Sequence, residues 1–158
     1  MLQLTIEQAQ IEDITTIAAF NRAMAWETEQ YELSPEILTQ GVSAIFQDKE
    51  KGFYIVAKDK SQNIIACLLI TYEWSDWRAS TIWWIQSVYV KPEYRRQGVF
   101  REMYHHTTQL AKKQHVSLIR LYVVPHNNKA IATYQKLGMQ IQTYWVCEAI
   151  LTPQTESG

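Results

Sequence analysis

Hydrophobic positions along this chain follow two periods, and the places where one gives way to the other mark its elements. Residues 2–8 read as a first strand. A helix over 11–26 follows, with Ile11, Ile14, Ile17, Ala18, Asn21 and Ala25 on one side. Ser34-Pro35-Glu36 is a helix start: the serine caps, the proline fits the first turn and the glutamate complements the dipole. Leu38, Val42, Ile45 and Phe46 give this second helix its apolar stripe. Residues 52–58 and 64–72 then predict paired strands across the polar turn Asp59 to Asn63.

The strand expected over 81–90 has two alternating sets, Ile82, Trp84, Gln86, Val88, Val90 and Trp83, Ile85, Ser87, Tyr89. Both sets are mainly apolar, so the strand is expected to be central and covered on both faces. Pro92 ends its ladder. After Gly98 the period becomes helical again, through Phe100, Met103, Tyr104, Thr107, Leu110 and Ala111. Residues 117–124 predict a strand closed by Pro125, and 129–137 a short helix stopped by Gly138. A last strand is expected over 144–151, with residues 152–158 a frayed tail. The order β-α-α-β-β-β-α-β-α-β predicts an α+β fold in one domain over residues 1–151, a mixed sheet with helices on both faces.

Composition narrows the class further. The chain has 158 residues, 47% hydrophobic and 20% charged, the size and balance of one globular domain. No apolar window is long enough for a membrane span, and the first ten residues lack the layout of a signal peptide, so a cytoplasmic protein with no membrane partner is expected. Cys67 and Cys147 both sit in apolar, strand-like runs and are expected to be small buried hydrophobes without chemistry. His105, His106, His115 and His126 have no carboxylate or cysteine at ligand spacing, so no metal is expected.

Net charge is −1, which argues against a nucleic-acid partner. The charges are unevenly spread, however. Residues 1–50 carry nine acids against Arg22 and Lys49, whereas 91–113 carry six bases against Glu93 and Glu102. A phosphorylated ligand suits the second stretch and an amine the first; two solvated faces fit the same counts.

The stretch from Val88 to Met139 carries the chemistry. A buried strand, a basic loop and a helix begun at Gly98 make an anion-binding device, because first-turn N–H groups have no intrahelical acceptors. By itself this pattern is also that of an ordinary turn. The run Val88-Tyr89-Val90-Lys91-Pro92-Glu93-Tyr94-Arg95-Arg96-Gln97-Gly98-Val99-Phe100 resembles the Gln/Arg-x-x-Gly-x-Gly/Ala signature of the GNAT superfamily of acyl-CoA N-acyltransferases. Arg95 and Gly98 match, and Phe100 replaces the small residue. Downstream, Asn127, Ala130, Tyr134 and Gly138 fall in register with a second motif of that family, with Met139 in place of an aromatic residue.

The resemblance implies a mostly antiparallel mixed sheet and direct transfer of an acetyl group from acetyl-CoA, as cosubstrate, to a primary amine on a small molecule or peptide. It implies that the pantetheine pairs with Val88 and Val90 and that Asn127 bonds the same arm. The pyrophosphate would rest on the loop opened by Arg95, against the N–H groups of Arg96, Gln97, Gly98, Val99, Phe100 and Arg101. Tyr134 would protonate the departing thiolate; an ordinary buried tyrosine is the alternative. Glu73 is the candidate base, with Glu27, Glu29 or water as the others. Homodimers through the C-terminal strands are common in the family, and the resemblance leaves the oligomeric state open between such a homodimer and other assemblies. A non-catalytic acyl-CoA-binding module on the same fold is the competing function.

Overall fold

The structure, a computed structural model, describes residues 2–152. Its chain divides into two compact units, Met1–Leu121 and Tyr122–Gly158. The first holds β1 (Thr5–Gln8), α1 (Ile14–Glu29, entered through a 3-10 turn at Ile11–Asp13), α2 (Pro35–Gln47), β2 (Phe53–Lys58), β3 (Ile64–Ser75), β4 (Ser80–Val90), α3 (Val99–Lys113) and β5 (Leu118–Leu121). The second holds α4 (Asn128–Lys136). Among the described residues no helix is long and apolar enough to cross a membrane.

The sheet runs β1-β2-β3-β4-β5; its first three pairings are antiparallel and β4–β5 is parallel. It is therefore a mixed, mostly antiparallel sheet, as expected. Helices cover both of its faces. Ile55, Leu68, Ile70, Trp83 and Ile85 pack with Val99 and Met103 of α3, while Val56, Cys67 and Tyr89 pack with Ile17 and Phe20 of α1 and Val42 of α2. Ser34 caps α2 as read from the sequence, its hydroxyl accepting from the Ile37 N–H.

Three expectations need correction. The central strand β4 is covered on both faces only in part: Trp83 and Ile85 are buried on one face, and on the other Ile82 and Tyr89 are buried while Trp84 is half-buried and Gln86 exposed. Its two alternating sets also exchange sides midway. Ser87 sits at φ +51°, and the pairing with β3 jumps from Leu69↔Gln86 to Cys67↔Tyr89. A bulge adds one residue, so the face met by Trp83 and Ile85 is met further on by Val88 and Val90.

The predicted last strand over 144–151 is absent from the described residues, which show no regular structure there. An isolated strand leaves its backbone groups without partners, and among the described residues the second unit has no strand to pair with it. Cys147 is accordingly exposed rather than buried. The predicted tail lies, apart from Thr152, outside the described residues. Smaller shifts have local causes. β3 runs on to Ser75 because Glu73↔Ile82, Trp74↔Thr81 and Ser75↔Ser80 continue its ladder with β4, and β5 stops at Leu121.

Candidate functional site

Gly98 is the N-cap of α3 and has φ +80°, a conformation costly for any residue with a side chain. A Cβ placed there would stand 2.9 Å from Nη2 of Arg101, so that guanidinium folds back over the glycine. The first intrahelical bond runs from the Glu102 N–H to the Gly98 carbonyl, at 3.1 Å. The N–H groups of Val99, Phe100 and Arg101 therefore have no acceptor within the helix and carry its positive end. Ahead of them Arg96 has φ +61°, and the Gln97 amide donates to the Glu93 carbonyl at 2.8 Å. Arg96 and Gly98 are both left-handed, and the N–H groups that open α3 are of the kind that binds an anion. Phe100 is accounted for by packing: it lies against the α3-side core and 6.2 Å, ring to ring, from Tyr104.

The strand leading into this loop is open along one edge. β5 pairs with β4 only from Ile82↔Leu118 to Ile85↔Leu121. Beyond Ile85, residues 86–90 have no strand of this unit on that side. The Lys91 N–H donates to Ile65 of β3, so strand alternation turns the backbone of Val90 the other way, toward the open edge. An open edge of this kind accepts an extended ligand as a further strand. The bulge at Ser87 lies in the middle of the opening.

Arg95 joins the loop to two other elements. Its Nε donates to the Val90 carbonyl at 2.8 Å, its Nη2 meets Glu27 of α1 at 2.7 Å, and its guanidinium lies 5.4 Å from the Tyr89 ring centroid. The Tyr89 hydroxyl in turn donates to Glu27 at 3.3 Å. Burial first, and the nearby Glu27 charge second, raise the Tyr89 phenol above its ordinary pKa.

A second network crosses β3, β4 and β5 near the other end of the sheet. Glu73 accepts from the Trp84 indole N–H at 2.9 Å and from Arg120 at 3.1 Å, and Arg120 lies 5.9 Å from the Trp84 ring centroid. Beside it the Gln86 amide donates to the Thr71 hydroxyl at 2.6 Å. Glu73 faces Ile82, five residues before the bulge, which at strand rise is about 16 Å along β4. It is thus not in contact with the bulge. Trp74 and Trp77, on the hairpin beyond it, are exposed.

Asn127 and Tyr134 belong to the second unit. Asn127 caps α4, its side-chain oxygen accepting from the Ala130 N–H at 3.2 Å, which leaves its amide N–H groups to donate. Tyr134 lies with Ala130 and Leu137 on the partly buried side of α4, and burial raises its phenol above the ordinary value. Among the described residues no cluster of three or more His, Cys, Asp or Glu is placed to hold a metal. Burial pushes the Cys67 thiol up to about 12, so it is not a nucleophile at neutral pH.

The structure brings Val88, Val90 and the run from Arg95 to Arg101 into one continuous feature and sets Glu73 apart from it. It adds Glu27 and Tyr89 to the loop. From the sequence Glu27 is only one of the alternative bases and Tyr89 is simply a position on the central strand. No local pattern relates Glu27 to a residue 68 positions away.

Comparison with known proteins agrees with this geometry. The family model for the acetyltransferase (GNAT) family matches residues 11–139. The thialysine N-epsilon-acetyltransferase of Bos taurus is 33% identical over 82 residues, 50% of this chain and 48% of that protein. The Mus musculus enzyme of the same name is 30% identical over 88 residues, 54% and 51% of the two chains. Each match spans about half the length of the relative. Among solved structures, a possible acetyltransferase from Clostridium difficile 630 superposes with a TM-score of 0.87 at 40% identity, covering 97% of this chain and all of that one (100%). A predicted acetyltransferase from Clostridium acetobutylicum, solved with acetyl-CoA, shares the fold with a TM-score of 0.75 at 18% identity, covering 97% of this chain and 100% of that one. With the signature loop, the helix begun at Gly98 and the opened central strand all in place, the chain belongs to the GNAT family of acetyltransferases.

Proposed function

We propose that the chain is an acetyl-CoA-dependent N-acetyltransferase that acylates a primary amine directly. The observation that carries this reading is the gap in the β4–β5 ladder after Ile85, running through a bulge to a helix started by glycine. One strand thereby offers an extended ligand a backbone edge and, at its end, a cradle for a diphosphate. Acetyl-CoA supplies the activated acyl group. Val88 and Val90 bond the pantetheine by their backbones, Asn127 donates to the same arm, and N–H groups from Arg96 to Arg101 hold the diphosphate.

Transfer forms one C–N bond and breaks one C–S bond. A backbone N–H near the bulge stabilises the charge on the carbonyl oxygen. Tyr134 gives its proton to the departing sulfur, a role suited to a phenol kept protonated by burial. The acceptor's ammonium proton must leave before attack. Glu73 takes it up through water along the row of Gln86, Thr71 and Trp84, because its carboxylate is held by Arg120 and stands away from the bulge. The acceptor is a terminal alkylamine; the side-chain amine named for the curated relatives supports that class.

Thiol release from acetyl-CoA across a panel of lysine, thialysine, polyamines, aminoglycosides and peptides tests the reading. Turnover on an alkylamine is expected. Failure to bind CoA at all would overturn it, while tight CoA binding without turnover on any amine would mark a non-catalytic binding module.

A further inference from the structure

Arg95 opens the signature loop, yet two of its three guanidinium nitrogens are committed elsewhere. Nε is held by the Val90 carbonyl and Nη2 by Glu27. The ring of Tyr89 lies against the guanidinium, and the Tyr89 hydroxyl bonds the same carboxylate. The loop that follows has two left-handed residues, one of them a side-chain-bearing arginine at φ +61°. Such a conformation persists where its surroundings hold it. The Glu93–Gln97 bond holds the loop from within, and Arg95 holds it from outside.

The position of Glu27 points the same way. It lies in the last turns of α1, with Glu29 beside it and no basic residue in the final turn. Carboxylates at a helix C-terminus oppose the macrodipole, so this one is badly placed for the helix that carries it. Its compensation comes from Arg95, 68 residues further along the chain. Both side chains are a little over one-third exposed, so as an ordinary surface ion pair the contact adds little to stability.

We propose that Glu27 is a positioning residue for the acyl-CoA loop: it holds Arg95 against β4 and α1, and so fixes the loop in the shape that presents its N–H groups. This rests on the acyl-CoA reading above. It makes a prediction of sign. If Arg95 instead bonded phosphate directly and Glu27 merely competed for it, removing the carboxylate would free the cation and tighten CoA binding. If Glu27 positions the loop, removing it weakens binding.

The test is calorimetric titration of CoA into the wild-type chain, Glu27→Gln, Arg95→Met and the double variant, with Tm recorded for each and steady-state constants for acetyl-CoA. Glu27→Gln is expected to weaken CoA about fivefold, with Tm nearly unchanged. KM for acetyl-CoA should rise by the same factor while kcat holds. The double variant should bind no more weakly than Arg95→Met alone, because the two act as one unit. Glu27→Asp, which keeps the charge, should recover part of the loss. CoA binding by Glu27→Gln that equals or exceeds wild type would overturn the proposal and leave the acyl-CoA reading standing. A wild-type chain that binds no CoA would remove that reading first.

Discussion

Two networks in this protein are built from the same parts, and they serve different ends. Glu27 with Arg95 and Tyr89, and Glu73 with Arg120 and Trp84, each join a carboxylate to an arginine lying against an aromatic ring. In the second, the three residues sit on adjacent strands whose backbones are already laddered together. The side chains there add to an order that exists without them. In the first, a helix end, a strand end and a loop with left-handed residues meet with no ladder among them. Ion pairs of equal appearance therefore differ in consequence according to what else holds their elements in place.

The largest expected effect lies outside both networks and sets the scale against which they are judged. Tyr134→Phe should lower kcat for thiol release about a hundredfold, the usual worth of a positioned acid. Because burial raises this phenol, its donor form persists above the ordinary value of about 10, and wild-type kcat should hold to that pH without an alkaline fall. A phenylalanine variant with unchanged turnover at every pH would remove Tyr134 from the mechanism.

Next comes the loop itself. Gly98→Val forces a branched side chain into a left-handed position, at roughly 1–2 kcal/mol or more, and displaces the Arg101 guanidinium. CoA affinity should fall at least tenfold by calorimetry, with the variant still folded by circular dichroism. Affinity unchanged would mean that the loop does not carry the diphosphate.

The comparison sharpens on Glu73→Gln, the counterpart of the Glu27 substitution. CoA affinity should stay within about twofold of wild type, since strand ladders fix that region without the carboxylate. Its effect should fall on the amine: kcat/KM for the acceptor drops several-fold at pH 7 and recovers toward pH 9–10, where less of the amine needs to lose a proton. Loss of CoA affinity as large as that of Glu27→Gln would erase the distinction between the two networks.

The smallest effect concerns the core beneath them. The Cys67 thiol rises from 9.0 to about 12 in the fold, so the folded state keeps a proton that the unfolded chain gives up. Its contribution is full below about pH 9 and is lost as pH rises from there toward 12. Cys67→Ala should flatten the decline in urea midpoint over that window, leaving the part due to Tyr54, whose phenol burial also raises to about 12.

Much of the fold was legible from periodicity. The apolar stripe of α2, the Ser34 cap and the helix begun at Gly98 are local facts, set by spacing and by backbone chemistry within a few residues. The loop from Arg95 to Arg101 stood out only through its resemblance to the family signature, since its spacing alone is also that of an ordinary turn. The strand expected over 144–151 failed because alternation states only a readiness to pair; a strand forms where a neighbour satisfies its backbone.

The sequence by itself determined most of the helices, the strands of the first unit and the glycine that starts α3, because those depend on residues close together along the chain. Only the tertiary structure decided that Ser87 inserts a bulge and exchanges the faces of β4, that β5 stops pairing with β4 at Ile85, and that Glu27 meets Arg95. These depend on register between strands and on contacts spanning tens of residues, for which a linear pattern carries no signal.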